Sequence, residues 1–233
     1  MHEYAQGLFK NWFIKFNYPT LNKQKKNSEL GLIPVDWEIG YFGDNILSKI
    51  IKGGVSKFNG YKKYIATADV SNSSINNFTM VKYEDKPSRA NMTPVADSIW
   101  FAKMEGSKKN ILVTNYAKEL IDDYIFSTGF MGIKCLNNST NYLWEIINSA
   151  SFLLEKDALS TGTLMAGISN NTITNYKYLI PPDAVLYKFN KIMNVINNEI
   201  YNNQIQNKKL ERLRDTLLPK LMNGEIDVEN IEI

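Results

Sequence analysis

The longest hydrophobic pattern in the chain lies near its C-terminal end, over residues 181–222. Apolar side chains recur there at three- and four-residue steps, which is the spacing of one face of an α-helix. They are Leu186, Phe189, Met193, Ile196, Ile200, Leu210, Leu213, Leu217 and Leu221. Pro181 and Pro182 are typical of a helix start, and Asp183 can cap free backbone N–H groups. The pattern predicts a single helix, roughly 60 Å long.

This apolar stripe contains two polar positions in its middle, Asn203 and Asn207. A polar residue in a coiled-coil seam lowers stability but fixes the register and number of the helices. Because no other segment of the chain is long enough to cover the stripe, we predict a second long helix from another chain. The predicted partner contacts are Leu186, Phe189, Met193, Ile196, Ile200, Asn203, Asn207, Leu210, Leu217 and Leu221.

The remaining patterns are shorter. Residues 4–16 predict an amphipathic helix with Leu8, Phe9, Trp12, Phe13 and Phe16 on one face. Residues 20–29 are polar and rich in Lys, which indicates a linker. Strand-like runs occur at 64–68, 97–102, 111–113 and 130–134, and helical spacing occurs at 116–124 and 143–152. Together these patterns predict an α+β domain between residues 31 and 180.

Composition narrows the class of protein. With 44% hydrophobic residues in 233, the chain can form a substantial core. It has no apolar run of about 18 residues and no signal-peptide pattern at its start, so no membrane segment is expected. The single Cys135 excludes an internal disulfide and fits a reducing, cytoplasmic location. We interpret Cys135 as a small buried hydrophobe rather than a nucleophile.

The charge is unevenly distributed. The chain carries a net charge of +3, and residues 1–63 alone hold ten Lys against five acidic residues. A mild basic excess permits nucleic-acid binding without requiring it. Asn is also unusually frequent, which we attribute to the mutational background of an AT-rich genome and to no function.

Catalytic signatures are missing from the sequence. His2 is the only histidine, and there is no Cys–His cluster, P-loop or Gly-rich nucleotide loop. Pro181-Pro182 is preceded by Ile and followed by Asp, so the Asn-Pro-Pro-aromatic motif of adenine methyltransferases is absent. Scattered acidic and lysine residues leave a nuclease interpretation open, although no spacing favours it.

Two segments carry a family resemblance. Leu30–Glu38 and Leu217–Asp227 resemble parts of the specificity subunit of type I restriction-modification systems. Residues 8–13 resemble 217–222, as the last turns of the same kind of helix; an ordinary amphipathic helix is the alternative. The resemblance implies one globular target-recognition domain followed by a long C-terminal coiled-coil helix. It is to the C-terminal half of such a subunit, beginning near the end of its central helix.

The resemblance implies a domain organisation in five segments. The predicted segments are a short helix at 1–18, a linker at 19–30, a target-recognition domain at 31–180, a coiled-coil helix at 181–222 and an acidic tail at 223–233. A natural half-size subunit, a silent cassette and a trimmed fragment all remain open as origins of the chain.

Three polar loops match loops of the family. Lys52–Lys57 resembles a Gly-Gly-Thr-Pro-Ser loop, although Val55 replaces Thr and the Pro is lost; Gly-Gly here is also compatible with a simple turn. Pro87–Ala90 resembles a Pro-Ser-Arg-Ala element, and Ser160–Ser169 lies where the family has a Gly-Ser-Thr loop. Arg89 can contact a guanine edge or a phosphate, or can tie its loop to the domain's own carboxylates.

Glycines allow backbone N–H groups to approach a phosphate, and Ser, Thr and Lys side chains can donate to it. The predicted DNA-binding residues are Gly54, Ser56, Lys57, Lys62, Lys63, Tyr64, Ser88, Arg89, Lys108, Lys109, Thr161, Gly162 and Thr163. No catalytic residue and no metal ligand is predicted.

The expected function is sequence-specific recognition of double-stranded DNA without catalysis. By the resemblance, the chain contacts one half of a bipartite site, and its helix sets the spacer and docks methyltransferase subunits. These partners bind S-adenosylmethionine, whereas this chain binds no cofactor, and restriction subunits join through them. The helix pairs with a second copy or with another half-subunit. Two interpretations remain open, a coiled-coil protein-interaction adaptor and a fragment of a restriction or methylation enzyme.

Overall fold

The computed structural model describes residues 2–18, 24–162 and 166–225 of the chain. Its helices are α1 (His2–Phe9), α2 (Lys118–Asp123), α3 (Thr140–Asn148), α4 (Ala150–Ala158) and α5 (Asp183–Met222). A π-helical turn (Lys10–Ile14) continues α1, and short 3₁₀ turns cover Thr67–Asp69 and Ile173–Asn175. The predicted linker residues 19–23, Thr163 and the tail beyond Glu225 lie outside the described residues.

The strands are short. They are β1 (Lys25–Ser28), β2 (Gly31–Pro34), β3 (Glu38–Tyr41), β4 (Ser48–Ile50), β5 (Lys62–Ile65), β6 (Val70–Ser71), β7 (Ser74–Ile75), β8 (Thr79–Val81), β9 (Ala90–Met92), β10 (Ser98–Ala102), β11 (Asn110–Val113), β12 (Tyr124–Ser127), β13 (Phe130–Cys135) and β14 (Lys177–Ile180).

Most strands belong to two four-stranded sheets. The first has the order β11-β10-β13-β4 and is antiparallel. The second has the order β8-β5-β12-β9, in which β5 and β12 are parallel and the other pairs antiparallel. Every residue of β10 is buried, because this strand is covered on both faces. A strand covered on both faces is typically a nearly continuous run of apolar residues.

Most sequence-predicted elements are present, with shifted bounds. The predicted strands at 97–102, 111–113 and 130–134 correspond to β10, β11 and β13, whereas β5 begins and ends earlier than its predicted run. The predicted helix at 143–152 is divided into α3 and α4 at Ser149. The Ser149 hydroxyl accepts a hydrogen bond from the Phe152 N–H at 3.1 Å and so caps α4. The mixed α/β class with a long C-terminal helix is confirmed.

The main hydrophobic core joins the N-terminal turns, the first sheet, α3 and the beginning of α5. Phe13 lies at its centre, with ring centroids 4.6 Å from Tyr142, 4.9 Å from Phe189 and 5.7 Å from Trp37. The predicted apolar face of residues 4–16 is therefore confirmed. The same core crosses the predicted domain boundary at residue 181.

The first half of α5 corrects the predicted partner contacts. Leu186, Phe189, Met193 and Ile196 are at most 9% exposed because they pack into the chain's own core. They are unavailable to a second chain. The reason is that α1, its π-helical turn and α3 together cover this half of the stripe, which no single segment could do. The helix also begins at Asp183, with Pro182 as the N-cap residue and no side-chain cap.

A network of asparagine side chains fixes α3 against α5. The Asn141 amide donates to Asn190 Oδ1 at 2.8 Å and to Asn194 Oδ1 at 2.9 Å, and it accepts from Asn197 Nδ2 at 2.6 Å. Asn190 in turn donates to the Asn138 carbonyl. Asn138 takes part through its backbone carbonyl, and the side chains of the other four residues satisfy one another at this partly buried interface.

Part of the predicted linker is a β-hairpin. Lys25–Ser28 pairs in antiparallel register with Gly31–Pro34, through a turn in which Gly31 has a φ of +90°. The Ser28 hydroxyl donates to the Gly31 carbonyl at 2.7 Å. The polar composition that indicated a linker reflects the solvent exposure of this hairpin. Among the described residues, no helix is both long enough and apolar enough to cross a membrane.

Candidate nucleic-acid interface

The loop at Gly53 and Gly54 is attached to the edge strand β9. The Gly54 N–H donates to the Asn91 carbonyl at 2.8 Å, and the Thr93 hydroxyl donates to the Gly54 carbonyl at 2.9 Å. The prediction that the Gly54 N–H is available to a phosphate is therefore wrong, because β9 already uses it. The side chains of Ser56 and Lys57, further along the loop, are exposed.

Arg89 lies in the turn that leads into β9, next to the turn between β12 and β13. Its carbonyl accepts from the Thr128 N–H at 2.9 Å, and a Cβ placed on Gly129 would lie 2.9 Å from its Nη2. The side chain is exposed and makes no ion pair with any carboxylate of the described residues. The structure therefore gives no support to the alternative in which Arg89 ties its loop to the domain's own acids.

The same β12–β13 turn connects to Lys109. The Lys109 ammonium donates to the Thr67 carbonyl at 2.7 Å, and Thr67 Cγ2 lies 3.1 Å from a Cβ built on Gly129. A Cβ at Gly129 would require a small shift of Thr67 Cγ2 and of the Arg89 guanidinium, which is the far end of a flexible side chain. Arg89, Thr67 and the β12–β13 turn are therefore close neighbours.

The third predicted loop, Ser160–Ser169, is connected to the β12–β13 turn through the backbone of Lys103. The Lys103 N–H donates to the Gly129 carbonyl at 2.9 Å, and its own carbonyl accepts from the Ile168 N–H at 2.9 Å. Thr161 and Gly167 exchange backbone hydrogen bonds at 3.1 and 3.2 Å. Gly162 follows with a φ of +127°. The loop therefore meets the other two around the β12–β13 turn.

We name this contiguous set of residues the loop surface. It comprises 53–57, 87–91, 127–129, 161–162 and 166–167, with Thr67, Lys103 and Lys109. The set contains four basic side chains and no acidic one. Lys103 was missed by sequence reasoning; it is half-buried, and burial lowers the pKa of its ammonium. The signal that could have found it is its position directly after the fully buried strand β10.

Three predicted DNA contacts lie elsewhere. Lys63 forms an ion pair with Glu119 and lies 5.0 Å from the Tyr124 ring centroid, and this hydrogen bond to Glu119 raises the pKa of its ammonium. Lys62 donates to the Asp122 carbonyl at 2.6 Å. Tyr64 packs against a small cluster of buried side chains.

The two lysines bind groups of the same domain because α2, which contains Glu119 and Asp122, lies beside the start of β5. The three predicted contacts lie roughly 10–17 Å along an extended chain from Thr67, at about 3.3 Å per residue. The structure therefore places Lys62, Lys63 and Tyr64 outside the loop surface, and DNA contact by these three residues stays a prediction. Ser88 and Lys108 are exposed, and Thr163 lies outside the described residues.

The described residues show no metal-binding arrangement, since no group of three or more His, Cys, Asp or Glu side chains could hold an ion there. Cys135 is buried in β13, and burial raises the pKa of its thiol to about 12. It therefore stays protonated at neutral pH and behaves as the small buried hydrophobe that the sequence predicted.

Comparison with known proteins gives relatives over nearly the whole chain. The MjaIX type I restriction enzyme specificity subunit of Methanocaldococcus jannaschii is 28% identical over 99% of this chain and 54% of its own length. The HindI specificity subunit of Haemophilus influenzae is 37% identical over 30% of this chain and 16% of its own. No protein-family model matches.

Two solved structures share the fold. The HsdS subunit from Thermoanaerobacter tengcongensis superposes on this chain with a TM-score of 0.54 and a sequence identity of 15%. A chain from a structural study of complex assembly and conformational transition of the type I R-M system superposes with a TM-score of 0.56 and a sequence identity of 17%. Each covers 86% of this chain. The chain resembles type I specificity subunits in both sequence and fold.

The resemblance predicted from Leu30–Glu38 and Leu217–Asp227 to the specificity subunits is thereby confirmed. The chain spans 54% of the length of the MjaIX subunit and 52% of the length of each structural relative. Of the predicted DNA contacts, the structure brings the three polar loops together on the loop surface and leaves the β5 lysines outside it.

Proposed function

We propose that this chain is a non-catalytic DNA-recognition subunit of a type I restriction-modification complex. The observation that carries the proposal is the similarity to a specificity subunit over 99% of the chain, which includes every segment of the loop surface. In this proposal the loop surface enters the major groove and contacts one half of a bipartite site. Lysines contact phosphates, and Arg89 contacts a base edge.

The arrangement of charges supports this role. A surface that binds duplex DNA needs basic groups to neutralise phosphates and rigid polar groups to discriminate bases. Lys57 and Arg89 are exposed on the loop surface, where no acidic residue of the set opposes them. The backbone hydrogen bonds between Gly54, Asn91, Arg89 and Thr128 hold the loops in place before DNA arrives.

The second half of α5 supports a role in assembly. Leu210, Leu213, Leu217 and Leu221 are 37–62% exposed on a helix that extends beyond the core. In the proposal this half pairs with the same segment of a second copy or of another half-subunit. The helix length then sets the spacer between the two half-sites, as dimer geometry does in other DNA-binding proteins. Methyltransferase subunits bind the helix and the domain, carry S-adenosylmethionine and flip the target base, and restriction subunits join through them.

The test is selection from a pool of random-sequence duplexes by the chain together with the methyltransferase subunit of its own system. We expect enrichment of a bipartite motif and salt-sensitive binding. Failure to enrich any motif, with protein binding retained, would favour the adaptor interpretation. Cleavage or methylation of DNA by the purified chain alone would instead indicate an enzyme fragment.

Arg89→Ala provides a test at one residue. We expect it to lower discrimination between selected and random duplexes by about 1–3 kcal/mol, the usual contribution of a bidentate base contact. Arg89→Lys keeps the charge but not the planar fork, so it restores binding only if Arg89 contacts a phosphate. Lys82→Ala, an exposed lysine outside the loop surface, is the matched control. Unchanged discrimination in Arg89→Ala would remove Arg89 from the base contacts.

A further inference from the structure

Lys156 is a buried lysine whose ammonium contacts the loop between β10 and β11. The side chain is 1% exposed, and Nζ donates to the carbonyls of Met104 at 2.7 Å, Ser107 at 3.2 Å and Ala102 at 3.5 Å. Asp157 Oδ1 lies 3.3 Å from the same nitrogen. A lysine is rarely buried unless its charge is compensated. Here one carboxylate and three carbonyls compensate it.

The neighbouring Asp157 extends the contact to the backbone of the same loop. Its Oδ1 also accepts from the Gly106 N–H at 3.0 Å. Lys156 and Asp157 therefore hold the segment 102–107 from α4 at four backbone groups. We name these two residues, with the backbone groups they bind, the α4 clamp.

The segment held by the α4 clamp is joined to the loop surface on both sides. The Glu105 N–H donates to the Ala166 carbonyl at 3.0 Å, which fixes the loop that contains Thr161. On the other side the segment leads into Lys108 and Lys109, and Lys109 is bound to Thr67. The clamp is thus the point at which two of the predicted DNA-contacting loops are attached to a helix.

Beyond Ala102, which is buried in the core, apolar packing contributes little to this segment. Glu105, Gly106 and Lys108 are exposed and Met104 is 51% exposed, so few apolar contacts order the loop. A loop with few apolar contacts opens at low free-energy cost unless polar contacts hold it. Desolvation lowers the pKa of the Lys156 ammonium while Asp157 raises it, as expected of a charge retained only through its partners.

We propose that Lys156 is a positioning residue for DNA recognition. Without touching DNA, it fixes the geometry of the loop that carries Lys108 and Lys109 and of the loop that carries Thr161. This inference rests on the proposed function of the loop surface. Its consequence is that removing the ammonium weakens discrimination between sequences although no DNA-contacting side chain is deleted, because the two loops lose their fixed geometry.

The test compares Lys156→Met with Lys108→Met, each in complex with the methyltransferase subunit. The probes are the duplex selected by the native complex and the unselected pool. We expect Lys156→Met to lower the ratio of the two affinities by about tenfold, similar to one mismatched base pair. Lys108→Met, which removes an exposed cation, should weaken both affinities equally and reduce the salt slope by about 1.

Hydrogen exchange provides a readout independent of DNA. The amides of Glu105 and Gly106 should exchange about tenfold faster in Lys156→Met, while those of β10 remain protected. Where Lys156→Met fails to fold, Asp157→Asn replaces it, because Asp157 is 25% exposed and its amide keeps the same size.

The outcomes separate the two proposals. A folded variant with native discrimination would overturn the positioning role, and so would native exchange rates at Glu105 and Gly106. A native complex that selects no sequence would contradict the proposed function, whatever the exchange data show. Equal weakening of both affinities in Lys156→Met, as expected for Lys108→Met, would also overturn the inference, since discrimination would then be unaffected.

Discussion

Glu145 is the buried acidic residue of α3. Its side chain is 2% exposed, and its Oε2 has no hydrogen-bond partner in the described structure. Burial raises the pKa of its carboxyl to about 7, because the charged form loses its hydration without gaining a compensating group. The protonated form is therefore the one that the folded state accommodates best.

The stability of the fold should depend on pH through this residue. Between about pH 4.5 and pH 7 the unfolded chain releases the Glu145 proton while the folded chain retains it, so the free energy of unfolding falls as pH rises. Above pH 7 this decrease in the free energy of unfolding approaches about 3 kcal/mol. Glu145→Gln should remove it, and the variant should therefore exceed the native protein in stability at pH 8 but not at pH 4.5.

Urea unfolding at the two pH values measures this difference. The same substitution at Glu211, an exposed residue of α5, is the control and should change stability by at most about 0.5 kcal/mol at both values. An identical pH dependence in Glu145→Gln and in the native protein would show that Glu145 is already ionised in the folded state.

At the residue scale, the sequence could indicate that a side chain is exposed but not which partner it has within the fold. Arg89 and Lys57 are exposed on polar loops, as their positions predicted. Lys63 was predicted to contact DNA, but an acid from α2, 56 positions away, binds its ammonium. No spacing rule reveals such a pairing, because it depends on the parallel register of β5 and β12.

At the scale of elements, the interface of α3 and α5 depends on polar as well as apolar contacts. Asn141 bonds three asparagines of α5, at positions 190, 194 and 197. Because each amide is satisfied only in one register of the two helices, the network specifies how α5 lies on the domain. The direction in which the exposed half of α5 leaves the core follows from this register.

Asn141→Ala should therefore destabilise the domain by about 1–3 kcal/mol, because it leaves partly buried amides without partners. Asn198→Ala is a matched control on α5, since this asparagine is exposed and has no hydrogen bond among the described residues; it should cost at most about 0.5 kcal/mol. Thermal unfolding of both variants measures the contrast. Equal effects would mean that the network contributes nothing beyond helix propensity.

The period of the apolar positions predicted α5 and the face of α1 because a helix repeats its contacts regularly. The same pattern could not show which partner covers each half of the stripe. Up to Ile196 the partner is the chain's own core, assembled from three separate segments. Beyond Ile200 the leucines remain exposed. Strands as short as β6 or β9 gave no periodic signal, so the loop surface that they support could be predicted only as separate loops.

At the scale of the whole molecule, the chain has a compactly packed part and an exposed helical arm. The division falls where the apolar stripe of α5 leaves the cover of α1 and α3. Asn203 and Asn207 lie immediately beyond this point and are exposed. In an antiparallel pair of arms, such polar positions would fix the register. The register would in turn fix the distance between two loop surfaces, which is the quantity a bipartite DNA site requires.

Association through the arm should therefore be separable from folding. We expect a mass near 53 kDa by light scattering, twice the 26.7 kDa of one chain. Leu210→Glu with Leu217→Glu should give a monomer with an unchanged Tm, because these side chains are exposed. Met193→Glu should instead unfold the domain, because Met193 is fully buried. A homodimer implies a palindromic bipartite site. If the native chain stays monomeric with the methyltransferase present, the arm would instead pair with a different half-subunit. The DNA site would then be asymmetric.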